Sequence, residues 1–187
     1  MFRDLLASEF APYGALTPAQ IDSLEAHYKL LIQWNARLNL TRIESVEDAV
    51  RLHYCESLLL GTKLPSGPLR IVDVGSGAGF PGIPVASLRP ECSITLIESH
   101  QRKGVFLREA SRNLKNVSVV TERAEDVRPD FDWLVSRAVS PKDLLNLKLA
   151  NNLALLVGGE DVPDCSRRES IPWGIARYIV FHVKHPC

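Results

Sequence analysis

The stretch that most constrains this chain is Leu69-Arg70-Ile71-Val72-Asp73-Val74 followed by Gly75-Ser76-Gly77-Ala78-Gly79-Phe80-Pro81-Gly82, with the apolar segment Ile83 to Leu88 behind it. An apolar run of strand composition enters a glycine turn, and the turn opens a helix. Such a unit belongs to a parallel sheet whose ligand sits beyond the carboxyl ends of the strands. Glycine lets backbone approach a ligand closely and accepts positive φ, so four glycines in eight residues read as a cradle rather than as a plain connection.

Gly77-Ala78-Gly79-Phe80-Pro81-Gly82 satisfies the dinucleotide fingerprint G-x-G-x-x-G, but weakly. Counted from the strand end at Gly75, Phe80 falls where the third glycine belongs, and Pro81, read as the first helical residue, has no N–H for a pyrophosphate. A nucleoside ligand without phosphate fits better. An acidic residue two before the first glycine of G-x-G-x-G resembles the first motif of the Rossmann-like S-adenosylmethionine-dependent methyltransferases.

The rest of the chain alternates in the same style. Thr17-Pro18-Ala19-Gln20 is a capping box, and Ile21, Leu24, Tyr28, Leu31, Trp34 and Leu38 recur at helical spacing, predicting one long helix to about Leu38. A second helix is expected from Ser45 to about Leu60, and Leu64-Pro65-Ser66-Gly67-Pro68 is the hinge into the sheet. Residues 1–63 therefore read as a helical extension and 64–187 as the α/β domain. Within it the pattern predicts strands 70–75, 93–98, 117–121, 132–138 and 153–157, helices 82–88, 102–114 and 141–149, and one closing strand, 176–183, after a turn-rich stretch from Gly158 to Gly174.

Basic and acidic residues balance at 22 each, so any nucleic-acid contact must come from a local patch, for which Arg37, Arg42, Arg51, Arg102 and Lys103 are candidates. Cys55, Cys92, Cys165 and Cys187 show neither C-x-x-C pairing nor zinc spacing. No run spans a bilayer and Met1-Phe2-Arg3-Asp4 is unlike a signal peptide, so the expectation is a soluble cytoplasmic protein with free thiols, no metal and no membrane partner.

The strand ends carry the candidate chemistry. Glu98 ends the second strand and offers one carboxylate to the two vicinal hydroxyls of a ribose. Ala124 and Glu125 follow the third, as an adenine clamp or simply a polar loop. Arg137 ends the fourth beside the glycine turn, able to grip a methionine carboxylate or an RNA phosphate, the alternative being a structural pair with Asp132 or Asp143. His53 reads as a hydrogen-bonded helix histidine joining the extension to the sheet. No catalytic triad is evident.

Residues 15 to 140 resemble one family, the bacterial small-subunit ribosomal RNA guanine-N7 methyltransferases, also called glucose-inhibited division protein B. The resemblance rests on Trp34-Asn35-Ala36-Arg37-Leu38-Asn39-Leu40-Thr41, on His53-Tyr54-Cys55-Glu56-Ser57-Leu58, on Asp73 to Pro84, on Glu98 with Arg102-Lys103, and on Ser136-Arg137-Ala138-Val139. It implies a class I methyltransferase fold with S-adenosyl-L-methionine as cofactor: Gly75 and Phe80 at the methionine and sulfonium, Glu98 at the ribose, Ala124 and Glu125 at the adenine, Arg137 at the cofactor or the incoming RNA. It also implies 16S ribosomal RNA or the small subunit as partner, a monomer, and no catalytic residue, because guanine N7 has a lone pair and no proton. The family usually has Asp where Glu56 stands, and Leu155-Leu156-Val157-Gly158-Gly159-Glu160-Asp161 departs from its pattern, so a truncated C-terminal end is expected. Two other functions remain open, a methyltransferase acting on a small molecule or protein and a non-catalytic RNA-binding relative.

Overall fold

The computed structural model describes residues 1–43, 45–137, 139–159 and 167–183. The expectations placed on Cys165 and Cys187 lie outside the described residues.

Seven strands form one sheet in the order β3-β2-β1-β4-β5-β7-β6. β1 (Arg70–Val74), β2 (Ser93–Ile97), β3 (Val117–Val120), β4 (Phe131–Arg137) and β5 (Ala150–Gly158) run parallel, whereas β7 (Arg177–Val183) lies antiparallel between β5 and β6 (Arg167–Ser170). The order reverses between β1 and β4, which places a crevice beyond their carboxyl ends. Side chains alternate strictly: Ile71, Ile94, Leu96, Trp133, Val135, Ala154 and Phe181 enter one core, and Val72, Val74, Ile97, Leu134, Leu153, Leu155 and Val180 enter the other. That period of two, buried on both faces, is why these runs are strands.

The first face carries α1 (Phe2–Phe10), α2 (Pro18–Leu38), α3 (Val46–Ala49), α4 (Glu56–Lys63), α5 (Gly82–Leu88) and α6 (Gln101–Ala110), whose buried residues share its core. The second carries α7 (Pro141–Asn146) through Leu144. The capping box opens α2 as expected: Thr17 Oγ1 accepts from Gln20 N at 3.2 Å and Gln20 Oε1 accepts from Thr17 N at 2.8 Å. Asn39, left-handed at φ 47°, ends the helix.

Four expectations change. α1, not foreseen, docks by Phe2, Leu6 and Phe10. The single helix expected over 45–60 is α3 and α4 joined by a π-helical turn, Val50–Cys55, which shifts the buried face by a residue and turns Tyr54, Cys55 and Glu56 inward together. Pro81 precedes α5 rather than occupying its first position. Two closing strands stand where the sequence led to the expectation of one; β6 lies inside the stretch read as turns, and β7 pairs antiparallel with both neighbours. Among the described residues, no helix is long and apolar enough to cross a membrane.

Candidate functional site

The glycine turn after β1 is tied down from every side. Gly75 N and Ser76 N both donate to Ile97 O at 3.0 Å, hooking the turn onto the end of β2. Gly77 N donates to Glu98 Oε2 at 3.0 Å, and Gly82 N to Asp73 Oδ2 at 2.9 Å. Gly75 (φ 70°) and Gly79 (φ 89°) adopt conformations that L side chains resist. A β-carbon at Gly75 would also lie 2.6 Å from Val139 Cγ2, so the turn passes directly under a residue two positions beyond β4.

The helical extension holds the same turn. His27, on α2, is buried, and its Nε2 lies 3.0 Å from the Ala78 carbonyl while its Nδ1 lies 2.8 Å from the Tyr54 hydroxyl. A carbonyl only accepts, so Nε2 carries the proton and Nδ1 accepts from Tyr54. Burial drives the imidazole down to about 4, keeping it neutral. Phe80 is walled by the rings of His27, His53 and Tyr54 at centroid distances of 5.0–5.3 Å.

Asp73 is fully buried beneath the turn. Its Oδ2 has the Gly82 N–H, but its Oδ1 has no hydrogen-bond partner, and burial pushes the carboxyl up to about 7.

The opposite wall is a polar relay. Asn35 clamps Thr41 by two hydrogen bonds, Nδ2 to Thr41 O at 3.0 Å and Thr41 N to Oδ1 at 2.9 Å. Thr41 Oγ1 lies 3.1 Å from His53 Nε2, and His53 Nδ1 meets the Arg137 guanidinium. The Leu52 carbonyl is also 2.9 Å from Nδ1, but a guanidinium can only donate, so Nδ1 is the bare nitrogen and Nε2–H donates to Thr41. Burial, then the Arg137 charge, lowers His53 to about 3, and burial lowers Arg137 to about 10. Glu56 is fully buried; both its oxygens accept from Arg177 on β7, and Arg137 stands 4.0 Å away. Burial raises the Glu56 carboxyl, with Arg177 opposing.

Between these walls lies a cavity of about 450 Å³, the size of a small-molecule site. Leu40, Thr41, Arg42 and His53 line it from the extension, Gly75, Ser76, Gly77, Ala78 and Phe80 from the turn, and Lys103, Arg137 and Val139 from α6 and the end of β4. Among the described residues, three cations and no carboxylate line it. A second cavity of about 370 Å³ adjoins it through Arg137 and Val139 and reaches Arg177.

The structure thus brings Gly75, Phe80 and Arg137 together. Glu98 braces the floor from behind Gly77; its second oxygen accepts from His100 N at 2.8 Å. Ala124 and Glu125 sit on a short 3₁₀ turn, Ala124–Asp126, and line a separate cavity of about 280 Å³ with Asn146, Leu147 and Lys148. Arg137 pairs with neither Asp132 nor Asp143, since Asp132 is held by Arg70. Of the candidate basic patch, Arg42 and Lys103 reach the first cavity, Arg51 is spent on Glu9, and Arg37 and Arg102 are exposed elsewhere on the surface. His53 joins the extension to the sheet, as expected. Sequence reasoning gave no role to His27, Thr41 or Arg177, and only the Asn35–Thr41 segment carried a signal.

The parallel sheet with its glycine turn at the switch point is the fold of the class I, Rossmann-like methyltransferases. A S-adenosylmethionine-dependent methyltransferase from Aquifex aeolicus superposes with a TM-score of 0.55 at 16% identity, covering 72% of this chain and 91% of that one. The precorrin-6y C5,15-methyltransferase from Geobacter metallireducens gives 0.51 at 16% identity, over 69% and 87%. The family model described as rRNA small subunit methyltransferase G matches residues 20–159, and the chain belongs to that family. It is 43% identical over 129 residues to the Ribosomal RNA small subunit methyltransferase G of Chromobacterium violaceum, covering 67% of this chain and 61% of the relative. It is 41% identical over 169 residues to the protein of that name from Nitrosospira multiformis, covering 87% and 76%. The matched segment therefore spans about three-fifths to three-quarters of these curated relatives.

Proposed function

We propose that this chain transfers a methyl group from S-adenosylmethionine to N7 of a guanine in small-subunit ribosomal RNA. The observation that carries it is that every residue lining the principal cavity falls inside the segment matched to the family, residues 20–159. The cavity also fits the cofactor chemically. Its glycine floor admits a flat nucleoside, and Arg137 supplies a cation for the methionine carboxylate. Glu98 has lone pairs left for ribose hydroxyls once its two backbone N–H groups are counted.

When bound, the cofactor supplies an electrophilic methyl group on a sulfonium. The protein's share is alignment and exclusion of water. Guanine N7 carries an in-plane lone pair and no proton, so its methylation needs no general base. Among the described residues the lining agrees: its one imidazole, His53, has both ring nitrogens engaged and is lowered to about 3, and no carboxylate faces the cavity. An acceptor that must lose a proton would find no free base among these described residues. Arg42 and Lys103 supply charge for phosphates of the incoming RNA.

The test is incubation with methyl-labelled cofactor and small ribosomal subunits from cells lacking the N7 modification. Label in the RNA at a guanine that becomes sensitive to N7-specific strand cleavage is expected. Label on protein or a small molecule instead, or RNA binding without transfer, overturns the assignment.

A further inference from the structure

Two arginines stand beside one buried carboxylate, and one of them has taken all of it. Arg177 Nε and Nη2 donate to the two oxygens of Glu56, the second at 2.6 Å, in the bidentate arrangement that is the strongest ion pair available to a protein. Arg137 Nη1 stops 4.0 Å from Glu56 Oε2, beyond hydrogen-bond reach, and spends a donor on the neutral His53 instead. Two guanidinium groups, one carboxylate and a neutral imidazole leave one positive charge in excess. It resides on Arg137, the arginine that faces the principal cavity.

We propose that Arg177 is a positioning residue acting through Glu56: by saturating that carboxylate it holds Arg137 at the 4.0 Å outer limit of an ion pair with Glu56, short of a hydrogen bond, and presents its charge to the carboxylate of the bound cofactor. The inference rests on the reading of Arg137 as a cofactor ligand. Three observations carry it. Glu56 is fully buried, so its charge is not damped by water and must be satisfied by whichever guanidinium is nearest. Arg137 needs to move only about 1 Å to close a normal charge-assisted bond to Glu56. And Arg177 arrives from β7, beyond the segment matched to the family, so this arrangement is supplied by the part of the chain outside that match.

The experiment compares S-adenosylhomocysteine with 5′-methylthioadenosine, which lacks the amino-acid carboxylate, by calorimetry on the full chain. Arg177→Met frees Glu56 to capture Arg137, so S-adenosylhomocysteine is expected to bind about tenfold or more weakly while 5′-methylthioadenosine changes less than about twofold. Adding Glu56→Gln removes the competing acceptor, and the double variant is expected to recover the lost affinity. A residue that merely holds the sheet together gives no such rescue. Arg177→Gln replaces Arg177→Met should the latter not fold. Equal weakening of both ligands, unchanged binding, or a double variant as weak as the single overturns the proposal. Arg137→Gln separates the two levels. If it leaves the preference for S-adenosylhomocysteine intact, the cofactor reading of Arg137 fails and takes the inference with it; if it abolishes the preference while Arg177→Met does not, the inference alone falls.

Discussion

Asp73→Asn in the ligand-free protein should reverse its effect on stability between acid and neutral pH. The carboxyl is completely buried and rises from 3.8 to about 7, chiefly through burial. The folded state holds this proton more tightly than the unfolded chain does. Its contribution is therefore full below about pH 4 and is lost as pH rises through about 7. A shift of roughly three units at about 1.4 kcal/mol each is worth about 4 kcal/mol over that window. Asparagine keeps an oxygen for the Gly82 N–H but places an amide NH₂ where Oδ1 now finds no partner, an offset of about 1–3 kcal/mol that does not depend on pH. The variant should be less stable than the parent near pH 4 and more stable near pH 8. His27 and His53 pull the other way, because the unfolded chain binds their protons below 6.5 while the folded protein keeps them neutral to about 4 and about 3. Only the difference between the two proteins isolates Asp73. Urea titrations from pH 4 to 8, followed by the fluorescence of the buried Trp133 and Trp173, give that difference. A difference constant with pH would falsify the assignment of a proton to Asp73.

Glu98→Gln should weaken S-adenosylhomocysteine binding by about 1–3 kcal/mol, since one of two charge-assisted bonds, to Gly77 N or His100 N, must face an amide NH₂; affinity within a few tenths of the parent would place the ribose elsewhere. Gly75→Ala should also bind weakly, because φ is 70° and the new methyl would sit 2.6 Å from Val139 Cγ2, and Val139→Ala should restore part of the loss by removing that clash. Undiminished binding in Gly75→Ala would refute the cradle. His27→Phe should cost about 2–5 kcal/mol in a denaturant titration by leaving the Ala78 carbonyl and the Tyr54 hydroxyl unpaired in the core. A loss no larger than that of Tyr54→Phe would show that the Ala78 bond contributes nothing.

What could be read from sequence was what a local period encodes. β1 and α5 announce themselves by the apolar run on each side of the glycines, and α2 by its capping box and the spacing of Leu24 and Leu31. α1 has the same helical signal, Phe2, Leu6 and Phe10 at spacings of four, and was simply not expected so close to the start. β6 has no signal to find. Arg167-Arg168-Glu169-Ser170 is wholly polar, and two of its side chains are held by tertiary contacts, with Arg167 over the Phe181 ring at 4.0 Å and Arg168 over Tyr178 at 4.6 Å. The π-helical turn is hidden for another reason, since one extra residue per turn leaves composition unchanged. Gly75 and Arg137 could be placed at one cavity because topology dictates where the first glycine turn and the end of β4 must lie, whereas Ala124 and Glu125 line another. The Glu56–Arg177 pair joins residues 121 apart, and His27 is a polar residue type at a core position, so neither leaves a pattern within any window.

The hinge at Leu64 to Pro68 divides the sequence more sharply than it divides the site. Leu40, Thr41, Arg42 and His53, all before the hinge, form one wall of the cavity, and His27 fixes the Ala78 carbonyl on its floor. Tyr54 and Phe80, on opposite sides of the hinge, meet edge to face at 5.0 Å in a core that also holds Leu24, Leu31 and Phe106. A ligand in this cavity must therefore touch both parts, and its binding energy is shared between them. The glycine turn taken alone would be a loop with several backbone groups exposed to water; it is the extension, through one neutral histidine and one ring cluster, that fixes its shape on the cavity floor.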